Sequence, residues 1–521
     1  MNPSTQAAPS PLNTPGRAYR WATGLTVAVL ILAFGSTVRI VQFVADRSLW
    51  YDEMMLAFSF VHRPTLSALF AKPLSYWQVA PAGYTALLHV LTALFGYGDR
   101  VFRSPALVAG LAAPVLFWRL ARRMLRPGSA TVALLIFASL GPLIYYSNEA
   151  KPYALDVFFA VAILLAAHRF QSAPTLRRNA LVLAVTGLVA IPLSFPAIFV
   201  LGGVGTVLFA RALIRLERRE LATLAAAGAA WAGMFLLNYF FFIRPVFQVD
   251  VGPGLVQTWS AAGFPPTSIA DWPQWTWDVT NDLFGGTATM WLLTTPLAIA
   301  LALVGFVLMW RDHRAALLLL LSPIVPGLIA AVLRKYPFAD RLILYLVPMG
   351  CLLLAAGIVG LADRGGALGR FAGVVSTAVL LMPTLTRDVE WVSDPPGREE
   401  IRQVMQYVAA HAQPDDWLYQ YHNDDVSMTY YGPRFGLDRM QTLMGGNFTA
   451  DPSKFMDEIE SIPPTMGRVW FLFTHDWNAN GLDEEELILT EAARRGTMLD
   501  QMDARGADAF LFDFSETPAT Q

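Results

Sequence analysis

Cysteine is almost missing from this 521-residue chain: the one copy, Cys351, lies in an apolar run, which excludes a disulfide framework and a cysteine-based metal site. Charge is scarce too, at 15% against 55% hydrophobic residues. A chain so poor in charge, with apolar stretches of spanning length recurring as far as about residue 386, reads as a polytopic membrane protein. It carries no HExxH, no Gly-rich phosphate loop and no nucleophile elbow, so soluble nucleotide chemistry has no support. No nucleic-acid partner is expected.

The charge that is present is divided along the chain. Residues 387–521 hold 10 Lys/Arg against 25 Asp/Glu, and residues 1–386 hold 28 against 15, so a whole-chain net of −2 hides halves of −15 and +13. Three parts follow: a polar leader 1–20, a membrane domain 21–386 with a long first loop 42–102, and an acidic α/β domain 387–521. The run after Arg17 and Arg20 lacks a small-residue cleavage site before Asp46 and reads as a retained first span with a cytoplasmic N-terminus.

About 11 spans are expected: Trp21–Val41, Arg103–Leu120, Ala130–Tyr146, Tyr153–Phe170, Ala180–Phe195, Pro196–Ile214, Leu221–Ile243, Ala288–Trp310, Ala315–Leu333, Leu342–Leu361 and Phe371–Leu385. Pro192 and Pro196 divide one 35-residue apolar stretch into two crossings. Ala80–Gly96 is short and opens at Pro81. Read as a juxtamembrane or re-entrant helix, it lets the basic clusters Arg119–Arg126, Arg169–Arg178, Arg211–Arg219, Arg311–Arg314 and Arg364–Arg370 all lie inside. The loops 42–102, 147–152, 244–287 and 334–341 and the acidic domain then face the extracytoplasmic side of the cell membrane.

In the outer loop Arg244–Thr287, Trp259, Trp272, Trp275 and Trp277 suit an interfacial anchor. In the acidic domain, DDWLYQY, GRVWFLF and ADAFLFDF read as strands, Arg398–His411 and Asp483–Arg494 as helices. His422, Asp424, Asp425, His475 and Asp476 form a polar patch of loops that follow strands.

Three polar patches fall on the outer face. The first is Asp52-Glu53 in WYDEMM, an acid pair too costly to bury in lipid. The second is YYSNEAKPYALD, where Glu149 and Lys151 interrupt two apolar runs at Pro152. The third is RKYPFADR, whose Arg334, Lys335 and Arg341 defy the inside bias and suit an anion such as a lipid phosphate. Acids and cations at an outer membrane cavity suit group transfer from a lipid-linked phosphate donor: an acid takes a proton from the acceptor and Lys or Arg neutralises the leaving phosphate.

The order of apolar first span, W-x-D-E loop, short amphipathic segment ending LFG, then FRSPALVAGLAAPVLFWRLARRML and GPLIYYSNEAKPYAL, resembles the GT-C glycosyltransferases, and more narrowly their family 39. That group includes the dolichyl-phosphate-mannose protein mannosyltransferases and the lipid A aminoarabinose transferases. The resemblance covers about residues 20–390 and implies a multi-span GT-C-like fold, a polyprenyl-phosphate-sugar donor, and inverting transfer to a glycan, lipid or protein acceptor. It implies Asp52 as general base, with Glu53 the second acid of that motif and Glu149 a catalytic acid of the second loop. Arg103, Lys151, Tyr153, Arg341 and Lys335 become donor phosphate-binding residues.

Gln78-Val79-Ala80-Pro81 replaces the family's His-Pro-Pro or Lys-Pro, and Lys151 stands for its usual Arg, so neither donor sugar nor acceptor follows. No cofactor is expected. Asp52, Glu53 and Glu149 have the chemistry to ligate Mg or Mn if their loops meet, as in related oligosaccharyltransferases, but family 39 is generally considered metal-independent. The alternatives are a transporter or flippase of a lipid-linked glycan, disfavoured because no halves repeat and the acids lie in loops, and a scaffold without activity.

Overall fold

A computed structural model describes residues 15–245, 263–422, 425–448, 451–474 and 483–515, with side chains from residue 24 onward. Trp259, Asp424, His475 and Asp476 lie outside the described residues.

The chain opens with α1 (Pro15–Ala45), then the short helices α2 (Tyr51–His62), α3 (Leu66–Ala71) and α4 (Ala82–Phe95) of the first loop. The bundle continues through α5 (Asp99–Met124), α6 (Pro127–Ser139), α7 (Gly141–Tyr145), α8 (Tyr153–Ser172), α9 (Arg177–Ala190), α10 (Ala197–Ile214) and α11 (Arg218–Asn238). After the Trp-rich α12 (Trp272–Gly285) come α13 (Thr295–Asp312), α14 (Arg314–Leu321), α15 (Ile324–Val332), α16 (Val347–Arg364) and α17 (Gly366–Ser393).

Among the described residues nine helical segments are long and apolar enough to cross a membrane, or ten if α6 and the residues through Asn148, bent by 59°, form one broken span. Every stretch expected to span contains a helix, although residues 191–195 and 288–294 lie outside one. The difference from eleven lies in α9, which is only 14 residues long and ends where Pro192 breaks the ladder. The apolar α4, also 14 residues, is too short to cross upright and stays with the first loop.

Without a hydrophobic drive between helices in lipid, close backbone packing has to supply the attraction. Gly305 of α13 and Gly357 of α16 provide it. A Cβ on Gly305 would lie 1.9 Å from the Leu353 carbonyl oxygen, and one on Gly357 2.0 Å from that of Leu301, so any side chain here would force the helices apart. At one end of the bundle Arg126 and Arg364 pair with Asp312 at 3.3 and 2.8 Å, gathering part of the basic charge there.

α17 runs on to Ser393, past the change in composition at 387. Beyond it lies a mixed α/β unit: α18 (Ile401–His411), β1 (Trp417–Gln420), α19 (Asp425–Phe435), β2 (Gln441–Met444), α20 (Ser453–Glu460), β3 (Arg468–Thr474), α21 (Glu484–Arg495), β4 (Thr497–Ala504) and β5 (Ala507–Asp513). The sheet order is β2-β1-β3-β5-β4. β1 lies parallel to β2 and β3, with Trp417 beside Gln441 and Val469, while β5 runs antiparallel to β3 and β4. The apolar runs of β3 and β5 face Tyr419, Phe455 and Ile488 in a core of their own. This unit packs through α19 against α2, which places it on the same side of the bundle as the first loop.

Candidate functional site

Trp50 ends an extended segment and caps α2, so Tyr51, Asp52 and Glu53 occupy its first turn, where carboxylates meet the positive end of the helix dipole. Expected in a loop, the pair sits on a helix start, and its two members point to different partners.

Glu53 has no exposed surface. Its carboxylate accepts from Arg103 Nε at 2.9 Å and Nη2 at 2.5 Å, from the Ala150 N–H at 2.6 Å and from the Trp50 N–H at 3.2 Å. Arg103 also donates to the carbonyls of Arg47 at 2.6 Å and Ser48 at 2.8 Å. A buried carboxylate and guanidinium satisfied in this way fasten the first loop to the second. Arg103 was expected at a donor phosphate and Glu53 in catalysis; their polar atoms are instead taken up by each other and by the backbone.

Asp52 is different. Its Oδ1 lies 3.0 Å from Lys151 Nζ and accepts from Gln78 Nε2 at 3.0 Å, and its Oδ2 lies 3.4 Å from Arg341. Its side chain keeps 18% of its surface exposed, against 7% for Lys151 and 16% for Arg341, so none of the three is sealed from solvent. Burial pushes the Asp52 carboxyl up, but Lys151 and Arg341 outweigh it and hold the group below the usual aspartate range. Three loops far apart in sequence therefore converge on one carboxylate, and Gln78 also accepts a short hydrogen bond from Lys151.

Each partner is held by its surroundings. The Asp282 carboxylate accepts from the Asp340 N–H at 2.6 Å, and the Tyr336 hydroxyl donates to the Leu342 carbonyl at 3.1 Å, fixing the turn that carries Arg341. The Arg341 guanidinium rests 5.5 Å over the Tyr153 ring, so Tyr153 supports the cation as a neighbour. Lys335 is exposed on the turn after α15, and none of the contacts described around Asp52 includes it.

Gly110 of α5 lets the second loop approach, since a Cβ there would fall 2.2 Å from the Ser147 Cβ. Gly110→Val is therefore expected to destabilise the protein by about 1–3 kcal/mol, read as a lower thermal midpoint of the purified protein. An unchanged midpoint would show that the two loops do not pack this closely.

Glu149, in the loop between α7 and α8, is fully buried. One oxygen accepts from Trp50 Nε1 at 3.3 Å, and Oε2 has no hydrogen-bond partner among the described residues. Burial first, and then the Glu53 charge, push its carboxyl from near 4.5 up to about 7, against the pull of Arg341 and Arg398. A carboxyl raised on folding contributes stability below its unfolded pKa and loses it as pH rises through the folded one. Glu149→Gln should therefore raise the thermal midpoint at pH 8 and leave it nearly unchanged at pH 5. Equal shifts at both pH values would contradict the burial argument.

Gln78 and Arg398 are the site neighbours that the motifs did not mark. Gln78 stood out only as a departure from a family pattern. Arg398 lies in the segment that enters the α/β unit, where the sequence signal is merely polar.

Among the described residues no group of three His, Cys, Asp or Glu side chains is placed to hold a metal ion. Asp52 and Glu53 already face Lys and Arg partners.

No family model matches the sequence, and no curated protein matches it. Solved structures do match in fold. ArnT from Cupriavidus metallidurans in the apo state aligns with a TM-score of 0.50 at 14% identity, over 94% of this chain and 98% of that one. The archaeal oligosaccharyltransferase AglB from Archaeoglobus fulgidus, in complex with an inhibitory peptide and a dolichol-phosphate, aligns with a TM-score of 0.50 at 13% identity, over 94% of this chain and 74% of that one. The multi-span bundle with its appended α/β unit thus shares its fold with these two proteins.

Proposed function

We propose that the protein is an integral membrane glycosyltransferase that moves a sugar from a polyprenyl-phosphate-linked donor to an extracytoplasmic acceptor with inversion, Asp52 acting as general base. One observation carries this reading. Gln78, which bonds both Asp52 and Lys151, also lines an apolar cavity of about 150 Å³ whose walls include Phe70, Pro81, Ile198, Phe235 and Phe242. A largely apolar cavity that shares Gln78 with the carboxylate and Lys151 suits a prenyl chain leading to a phosphate, and the likeness in fold to a protein that holds a dolichol-phosphate supports it.

The chemistry follows from the charges. An acceptor hydroxyl beside Asp52 gives its proton to the carboxylate as its oxygen bonds to the anomeric carbon of the donor sugar. The bond from that carbon to the phosphate oxygen breaks on the opposite face. Its electron pair leaves with polyprenyl phosphate, and Lys151 and Arg341 take up the charge. The same two cations hold the Asp52 carboxyl below the usual aspartate range. A phosphate that engages them relieves this grip, so donor binding readies the carboxylate for its proton.

In this reading Glu53 and Arg103 are scaffold, Tyr153 steadies Arg341, and exposed Lys335 suits a lipid headgroup. Arg341→Ala is expected to weaken donor binding by about tenfold or more, measured as the Kd of the purified protein for undecaprenyl phosphate. An unchanged Kd removes Arg341 as a phosphate ligand.

A further inference from the structure

The residues around Asp52 leave one cation at the rim of the site without a role. Arg398 lies between α17 and α18, in the link to the α/β unit. Its guanidinium sits 4.2 Å over the ring of Trp50 and 5.1 Å from that of Tyr145. The side chain is exposed at one edge, and among the described residues its guanidinium donates no hydrogen bond. A planar cation fixed by aromatic faces with its N–H edge open is a preformed receptor for a phosphate, which takes two parallel N–H bonds.

The position is imposed by the fold. Tyr51 N–H donates to Glu399 at 2.7 Å, the Ser48 N–H and hydroxyl bond to Glu400 at 3.0 and 3.1 Å, and Arg47 donates to the Pro396 carbonyl at 2.7 Å. Behind it, Gly506 at φ +66° leaves room for the Arg398 carbonyl; a Cβ there would lie 2.1 Å from that oxygen. Arg398 therefore cannot drift from the first loop while the two parts of the chain are docked. It also lies close enough to Arg341 and Glu149 to feel both charges. Each of the two guanidinia is supported by an aromatic ring, and an anion held by both relieves their mutual repulsion.

We propose that Arg398 is a phosphate ligand of this site, supplied by the α/β unit, and that it grips the donor phosphate from the aqueous rim while Arg341 and Lys151 grip it from within. This rests on the reading of a polyprenyl-phosphate donor given above. It gives the α/β unit a part in the site: a domain that undocks removes one of the phosphate ligands.

The test titrates the full chain in detergent with farnesyl phosphate and, separately, with inorganic phosphate, by calorimetry, for wild type, Arg398→Ala, Arg398→Gln and Arg341→Ala. Arg398→Ala should weaken both probes by a similar factor, about tenfold, with the thermal midpoint held. If that variant does not fold, Arg398→Gln, which keeps a planar polar group over the rings but no charge, is read in the same way. Unchanged binding in the Arg398 variants beside weakened binding in Arg341→Ala overturns the role of Arg398 and leaves the donor reading standing. Unchanged binding in all three overturns both. Loss confined to farnesyl phosphate places the contact on the lipid and overturns the assignment to phosphate.

Discussion

Replacing Asp52 by Asn is expected to lower sugar transfer by about a thousandfold while the purified protein keeps its thermal midpoint within a few degrees, since a positioned general base is worth roughly 10²–10⁴ in rate. The substitution keeps the shape and the acceptor oxygen that Gln78 and Lys151 meet, and removes only the charge and the basic site. The midpoint is the necessary control. Asp52 lies below the usual aspartate range in the folded state, so its charge contributes stability above the unfolded pKa near 4 that is lost as pH falls through the folded value. At pH 7 that contribution is present in wild type and absent in the variant. Because the side chain is partly solvated and its partners gain water when the charge goes, the loss is smaller than for a sealed pair. Full activity in Asp52→Asn would remove this carboxylate from the mechanism.

The largest structural effect is expected at its neighbour. Glu53→Ala leaves Arg103 as an uncompensated cation with 3% of its surface exposed, together with an orphaned Ala150 N–H, and should destabilise the protein by about 3–5 kcal/mol. The readout is the thermal midpoint and the yield of monodisperse protein in detergent. Glu53→Met with Arg103→Met recovers only part of this loss. The pair itself is removed, but the Ala150 N–H stays orphaned and the Arg47 and Ser48 carbonyls lose Arg103 as their donor. A Glu53→Ala protein as stable as wild type would mean that the first and second loops are fastened elsewhere. The two adjacent acids thus give opposite signatures: one variant folds without transferring, the other fails to fold well.

Much of this was legible from residue pattern. Charge counted along the chain separated the acidic unit from the basic membrane domain, and apolar runs located β3, buried on both faces, and β5, buried on one face and half-buried along most of the other. The placement of acids and cations in loops at one face marks Asp52, Lys151 and Arg341 as one polar group in the sequence. What the pattern missed has physical causes. β4 is exposed along most of its length, so no apolar alternation marks it, and β2 is only four residues long. The division of labour between Asp52 and Glu53 depends on rotation about the first turn of α2, which adjacent letters do not encode. Gln78 and Arg398 carry their meaning only through contacts with Trp50, Asp52 and Lys151, made across long sequence separations.

The central claim is that the polar pocket around Asp52 cleaves a sugar from polyprenyl phosphate. The most direct measurement incubates the purified full chain, in vesicles, with a panel of polyprenyl-phosphate sugars and an extract of envelope glycans, lipids and proteins, and follows free polyprenyl phosphate by mass spectrometry. Release of polyprenyl phosphate from at least one donor by wild type, and none from that donor by Asp52→Asn, is the predicted result. Movement of intact donor across the vesicle bilayer with no release by either protein would contradict it and make the chain a carrier of lipid-linked sugars.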